Sequence, residues 1–260
     1  MAVTNRIRER KDRRLRLRVI RKNINKLGRG YLNGSDLKDA GVSRQIVSLE
    51  GKAALPRFFA PYNGKIDPPR DKEVLDYVNE SFPRFDKLGI EHRAETAQRF
   101  LHKYIQHGEL PQEEYWGNFG FPDLVEIRGK PTWQFMTAWD MPLHKQPHIK
   151  CMISTNIIAE DRLLYSEIVS ILEVIRQRLR TPETRLHVDA PVFLYSFIDT
   201  SFRVLEGNFD GKKLIVRATK LYDLTDDDRK GYELSAHLTK WWYGDTTKRS
   251  TKRFTEKSTD

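Results

Sequence analysis

Cysteine is almost absent from the sequence, which holds only Cys151 among its 260 residues. A single thiol excludes an intramolecular disulfide framework and any zinc site built from several cysteines, and it favours a reducing compartment. No apolar run approaches the roughly 20 residues that a membrane span needs, and the start lacks the apolar segment of a secretory signal. We therefore predict a nuclear or cytoplasmic protein without a membrane span.

Signatures of common catalytic sites are missing as well. The chain has no glycine-rich phosphate loop, no G-x-S-x-G turn and no H-E-x-x-H zinc motif. His144, His148 and Cys151 form an H-x3-H-x2-C pattern, but Pro147 interrupts it and no fourth ligand is evident. His144 and His148 are the candidate metal ligands, and a loop histidine beside a buried thiol is the alternative. No cofactor is predicted.

Positive charge is concentrated at the N-terminus. Twelve of the first 30 residues are Arg or Lys, against Glu9 and Asp12, which gives a local net charge of +10. Removing these from the totals of 46 basic and 36 acidic residues leaves 34 of each in positions 31–260, so the rest of the chain is electroneutral. Clustered Lys and Arg favour a polyanion because bound counterions are released. We predict nucleic acid as the partner and leave a protein partner open.

The basic segment contains one apolar stripe. Between Thr4 and Leu27, the residues Leu17, Ile20 and Ile24 recur at helical spacing, which predicts a helix that packs on something. The part from Asn5 to Arg16 lacks such a stripe and is predicted to be a mobile arm that orders on an anionic surface. The arginines predicted to contact phosphate are Arg6, Arg8, Arg10, Arg13, Arg14, Arg16 and Arg18. A mitochondrial transit peptide is the alternative role, although Glu9 and Asp12 oppose it.

Residues 31–52 suggest two short helices around a turn. A helix over Asp36 to Ala40, a tight turn at Gly41 and a second helix from Arg44 to Glu50 would form a helix-turn-helix. The stretch resembles the helix-turn-helix of transcriptional regulators and antitoxins, which carry a similar Ala-Gly-Val-Ser-Arg run. That resemblance implies DNA binding, with base or groove contacts from Arg44, Gln45, Ser48 and Lys52. The alternative is a helical hairpin that only packs on the body.

The remaining chain predicts an α+β domain. Apolar runs typical of strands occur at 133–139, 149–155, 192–198, 202–209 and 213–220, the last two around the hairpin signal Asp210-Gly211. Helices are predicted at 93–106 and 157–179 and near the C-terminus. We expect a mixed sheet of about five strands with flanking helices. The predicted division is 1–55 (basic arm and helix-turn-helix region), 56–70 (proline-rich linker), 71–245 (α+β domain) and 246–260 (polar basic tail).

The order helix, three strands, helix over 163–243 resembles the core of PD-(D/E)XK nucleases. That family places one acidic residue on the second core strand and an acidic-x-Lys triplet on the third. Glu206 and Lys220 match two of these positions and are the catalytic candidates, but Ala218 stands where the triplet needs an acid. We therefore predict no metal-dependent nuclease activity, and we expect Glu206 to be solvated on the hairpin or paired with Arg203 or Arg217.

The stretch from Pro191 to Leu224 also resembles a fungal-specific group of uncharacterised proteins that share a strand, hairpin and helix in their C-terminal half. The resemblance implies the same fold class and a fungal origin. In a second hypothesis, the α+β body is a ligand-binding domain or a degenerate nuclease, and the basic segment is a targeting signal. Polar groups such as His187 and Asp189 lie near predicted strand ends, where ligand pockets tend to form.

Overall fold

A seven-stranded mixed sheet lies at the centre of the computed structural model, which describes residues 2–51, 54–66, 82–106, 124, 131–140, 146–224, 228–249 and 251. The α-helices are α1 (Ala2–Leu27), α2 (Gly34–Ala40), α3 (Ile90–Gln106), α4 (Tyr165–Arg178) and α5 (Asp228–Tyr243). The strands are β1 (Tyr31–Leu32), β2 (Val42–Ile46), β3 (Trp133–Asp140), β4 (Ile149–Thr155), β5 (Leu163–Leu164), β6 (Val192–Ile198), β7 (Ser201–Phe209), β8 (Leu214–Ala218) and β9 (Tyr222–Asp223). Short 3-10 helices cover Phe82–Lys87 and Pro182–Thr184.

The strand order in the sheet is β2-β8-β7-β6-β4-β3, with β9 paired to one end of β7. The pairs β2/β8 and β4/β6 are parallel, and the other pairs are antiparallel. The predicted α+β class is confirmed. The sheet has two strands more than the expected five, because β2 and β9 join it.

Strand β6 shows how the sheet separates two layers of helices. All seven of its residues are buried, and they alternate between two hydrophobic clusters. Leu194 packs in the cluster that contains the apolar sides of α1 and α4, whereas Phe193 and Tyr195 pack with Trp241 of α5. The alternation follows from the two-residue period of a strand, and burial on both faces explains the continuous apolar run.

The hairpin between β7 and β8 forms where Asp210-Gly211 predicts it. The Asp210 Oδ1 atom accepts hydrogen bonds from the backbone N–H groups of Lys212 and Lys213, at 2.7 and 2.8 Å. Gly211 has φ 101°, a conformation that a residue with a side chain rarely adopts. This turn sets the register that pairs Phe209 with Leu214.

Helix α1 confirms one sequence expectation and corrects another. Its residues Leu17, Ile20 and Ile24 are buried in the core with α4, as the apolar stripe predicts. The helix is continuous back to Ala2, so the segment from Asn5 to Arg16 is helical and docked rather than a mobile arm. Arginines on the inward side of this segment donate hydrogen bonds to carbonyl groups of the body. These hydrogen bonds dock the segment, although it lacks an apolar stripe.

The segment after α2 also differs from expectation. Asn33 caps α2 and Gly41 ends it with φ 85°, but residues 42–46 then form strand β2 instead of a second helix. The predicted second helix is wrong. The β-branched side chains of Val42 and Ile46 suit a strand, and β8 offers a parallel partner that pairs Val42 with Leu214.

Because β2 belongs to the main sheet and α1 to the main core, the N-terminal region has no separate core within the described residues. Helix α4 begins at Tyr165, later than the expected Ile157, since Leu163–Leu164 pairs with β1. No described helix combines the length and the apolar composition that crossing a bilayer requires.

Candidate nucleic-acid interface

Arg10 is the inward residue that fixes the N-terminal half of α1. Its guanidinium donates to five backbone carbonyls: Leu179 at 3.0 Å, His187 at 2.8 Å, Thr181 at 3.0 Å, Arg178 at 3.2 Å and Thr184. These oxygens belong to the C-terminal end of α4 and the turn after it, where carbonyls lack helical partners and the helix dipole is negative. Burial, then Arg14 and Arg178, lowers the pKa of Arg10 to about 10, so it stays charged at neutral pH.

Arg13 docks the same side of the helix on the sheet. Its Nη1 donates to Asp189 at 2.7 Å and to the carbonyl oxygen of Phe209 at 2.8 Å, while its Nε contacts Glu9 at 3.1 Å. Arg6 lies on this side too, and Arg6, Arg10 and Arg13 are exposed by only 4, 7 and 3%. Three of the arginines predicted to contact phosphate therefore face the interior.

The outward side of α1 presents cations to solvent. Arg8, Lys11, Arg18, Lys22 and Lys26 are exposed, and we call these five residues the outward cations. Within the described part of the chain, no hydrogen bond or ion pair occupies their side chains. Arg8 and Lys26 are 18 residues apart, a distance of roughly 27 Å along a helix with a 1.5 Å rise. Among them lie the exposed apolar residues Ile7, Leu15 and Val19.

A groove at the boundary between α1 and α4 is lined by Arg18, Arg21 and Arg176 together with Lys22, Asn25 and Lys26. Burial lowers the pKa of the nearby Arg14, and the charges of Arg180, which follows α4, and Arg176 lower it further. Arg14 and Arg18 were predicted from the sequence, whereas Arg176 and Arg180 were missed because the apolar stripe of α4 dominated the interpretation. Three arginines at alternate positions, 176, 178 and 180, are the signal that could have found them.

The residues predicted to read bases lie on the sheet edge instead of on a recognition helix. Arg44 and Gln45 belong to β2, and Arg44 contacts Asp161 at 2.8 Å. The Ser48 hydroxyl donates to the Glu50 carbonyl in a local turn. Lys52 lies outside the described residues. Arg16, the remaining predicted contact, is exposed and donates to the Gly211 carbonyl at 2.9 Å.

The structure does not bring the nuclease candidates together. Glu206 is fully buried and accepts hydrogen bonds from the backbone N–H groups of Arg57 and Phe58. It also pairs with Arg217 at 3.1 Å, one of the two partners expected for it, while burial raises its pKa. Lys220 is exposed and lies over the ring of Tyr222. Glu206 therefore anchors the residue 57–58 backbone, and both of its carboxylate oxygens already accept hydrogen bonds.

The other ionisable candidates are also internal. His148 is buried, packs against Phe58 and Phe59, and has a pKa lowered to about 3 by burial first and by His187, Arg178 and Lys150 next. Burial raises the pKa of the Cys151 thiol, in keeping with an inert buried thiol. His144 lies outside the described residues. Among the described residues, no group of three or more His, Cys, Asp or Glu side chains is arranged to hold a metal ion.

Tryptophan rings can stack on nucleic-acid bases, but Trp139, Trp241 and Trp242 are part of the core. Trp139, Trp241 and Trp242 are exposed by 8, 1 and 1% and pack around Phe193 and Tyr195. Beside the basic helix, the partly exposed Tyr165 donates a hydrogen bond to Asn25 of α1. Comparison of the chain with protein-family models, curated proteins and solved structures finds no match.

Proposed function

We propose that this protein binds nucleic acid through the phosphate backbone, using the outward cations of α1. The observation that carries the proposal is the division of charge on one docked helix: the inward arginines bind carbonyls, and five outward cations have no protein partner in the described structure. A solvated cation is free to replace a condensed counterion on a polyanion, and the release of that counterion favours binding.

The mode of binding follows from how α1 is docked. Its inward side is covered by α4 and the sheet, so the inward arginines cannot reach a ligand and the outward cations can. Lysine and arginine contacts to phosphate supply affinity and carry no sequence information. The base-reading helix of the helix-turn-helix resemblance is a strand here. We therefore propose binding with little sequence preference, and the α+β body holds α1 in place.

Fluorescence anisotropy with a labelled 20-base-pair duplex tests this proposal. The outward variant combines Arg8→Gln, Lys11→Gln, Lys22→Gln and Lys26→Gln. The matched control removes four exposed charges elsewhere through Lys38→Gln, Lys87→Gln, Lys230→Gln and Lys240→Gln. At about 0.1 M salt, we expect the outward variant to lose on the order of 100-fold in affinity, since each lost phosphate contact removes one released counterion.

The control variant should bind within about threefold of wild type at the same salt concentration. Equal losses in the two variants would show that net charge alone matters and would contradict the proposal. Binding to vesicles with anionic lipids, without binding to DNA or RNA, would also contradict it and would assign the outward side with Leu15 and Val19 to a membrane surface.

A further inference from the structure

Strand β2 forms one edge of the main sheet and leaves backbone groups unpaired there. It stands at the end of the strand order, and β8 is its partner within the described part of the chain. Val47 donates its backbone N–H to the Ala218 carbonyl at 3.0 Å, so the odd-numbered residues of this stretch face β8. Because the hydrogen-bonding direction alternates along a strand, the N–H and C=O groups of Val42, Arg44 and Ile46 point away from the sheet.

A basic groove lies beside this edge. It has a volume of about 500 Å³, and its lining includes Val42, Arg44, Lys38, Arg162 and Lys213. The lining holds four cations and no carboxylate. The two arginines pair with carboxylates outside the lining, whereas no hydrogen bond or ion pair among the described residues occupies the exposed side chains of Lys38 and Lys213. The groove therefore attracts an anionic ligand.

One exposed apolar side chain continues the same edge. Ile46 is 81% exposed, although it belongs to a strand of the main sheet. Side chains two residues apart share a face of a strand, so Ile46 lies on the face of Arg44 and Val42, beside the groove. A further strand paired with β2 would meet Arg44 with one of its side chains and cover Ile46 with the next one on that face.

We propose that the β2 edge binds an extended acidic segment of another protein, which pairs with β2 as an additional strand. Backbone hydrogen bonds to Val42, Arg44 and Ile46 supply affinity, and the side chains that alternate toward the groove supply specificity. The preferred segment carries carboxylates opposite the cations and an apolar residue over Ile46. This site is separate from the outward cations of α1 and does not rest on the proposed function.

Two other occupants fit this edge less well. A second copy of the chain, paired antiparallel through β2, would bring two Arg44 side chains and two basic grooves together, and like charges opposite each other destabilise a strand pair. Phosphate groups of a nucleic acid only accept hydrogen bonds, so they would leave the outward carbonyl groups of β2 unpaired. An acidic peptide matches both the backbone groups and the charge of the groove.

Fluorescence anisotropy with the labelled peptide Thr-Ile-Thr-Glu-Thr-Glu-Thr-Ile-Thr tests the proposal. The sequence reads the same in both directions, so Glu and Ile share one face whether the peptide lies parallel or antiparallel to β2, and threonine favours the extended strand. A peptide with Gln in place of Glu tests the charge. Two N-methylated forms, each blocking one alternate set of backbone N–H groups, test the strand pairing.

We expect one N-methylated form to lose about tenfold or more in affinity and the other to bind as the parent peptide does, because a strand at a sheet edge uses every second N–H group. The Gln peptide should bind about fivefold more weakly than the Glu peptide, as two exposed ion pairs allow. Equal binding of the two N-methylated forms, equal binding of the Glu and Gln peptides, or no binding of the Glu peptide would overturn the proposal and leave the proposed function standing.

Two variants locate the peptide site. Lys38→Gln with Lys213→Gln should weaken binding of the Glu peptide about fivefold and leave duplex binding unchanged. Lys11→Gln with Lys22→Gln on α1, the matched control, should keep peptide affinity and lose duplex affinity. If the first variant instead loses duplex affinity and keeps peptide affinity, the groove belongs to nucleic acid and the peptide proposal is wrong.

Discussion

The two sides of α1 use the same residue types in different surroundings. Arg10 and Arg13 point inward and donate to carbonyl oxygens and to Asp189, so their charges are already paired within the fold. Arg8 and Lys11 are their neighbours in sequence but point outward and are solvated. The difference shows that a local charge count does not measure binding capacity, because burial decides which cations a ligand can reach.

Lys150 resembles Arg10 in binding carbonyl oxygens at the end of a helix, but it does so on the other face of the sheet. It is fully buried on β4, and its Nζ donates to the carbonyl oxygens of Trp241, at 2.8 Å, Trp242, at 2.6 Å, and Gly244. These carbonyls lie at the C-terminal end of α5, as the partners of Arg10 lie at that of α4. Two buried cations therefore cap two helix ends, one in each layer.

The largest predicted effect concerns the inward side. Arg10→Gln removes the donors of five carbonyl oxygens, four of them in buried contacts, and we expect the free energy of unfolding to fall by about 3 to 4 kcal/mol. Lys11→Gln, one position along the helix, should change it by less than about 0.5 kcal/mol. Urea unfolding followed by circular dichroism measures both. Similar values for the two variants would mean that α1 is not docked through Arg10.

Lys150 gives the next largest effect, and it depends on pH. Burial lowers its pKa from 10.5 to about 7, while Asp245 raises it. Above pH 7 the unfolded chain holds a proton on Lys150 that the folded protein releases, so this residue makes stability rise with pH. Between pH 7 and 9 we expect a gain of about 2.5 kcal/mol relative to Lys150→Met. If the free energies of unfolding of wild type and Lys150→Met change equally with pH, the folded protein keeps Lys150 charged.

His148 gives a smaller effect of the same sign, in a lower pH range. Burial lowers its pKa from 6.5 to about 3. Below pH 6.5 the unfolded chain therefore binds a proton at His148 that the folded protein does not bind. Stability from this residue is present above pH 6.5 and is lost as pH falls. At pH 5 wild type should have lost about 2 kcal/mol more than His148→Phe. Chemical unfolding at pH 7 and pH 5 measures the difference, which should vanish if His148 is solvated.

Elements with a strong local signal were predictable from the sequence. The burial of Leu17, Ile20 and Ile24 followed from helical spacing, and the β7/β8 hairpin followed from the turn chemistry of Asp210 and Gly211. The pairing of Glu206 with Arg217 was one of the stated expectations and is confirmed. These features depend on neighbours along the chain or on one adjacent strand.

Features that depend on distant partners were not predictable. Strand β2 forms because β8 offers a parallel edge more than 160 positions later, and its short Val-Ser-Arg-Gln-Ile sequence fits helix or strand. Arg10 and Arg13 could not be told from Arg8, because their carbonyl partners lie far away in sequence. The candidate interface was therefore predicted as a region, and its division into inward and outward residues required the structure.

The salt dependence of duplex binding tests the division of α1 most directly. Five outward cations predict a slope of log affinity against log salt of about −4.5, since each contact contributes roughly −0.9. Lys11→Gln with Lys22→Gln should reduce the slope by about 1.8, and the inward Arg13→Gln, measured where it remains folded, should leave the slope unchanged. If the Lys11→Gln, Lys22→Gln variant keeps the wild-type slope, or if Arg13→Gln changes it, the assignment of binding to the outward side is contradicted.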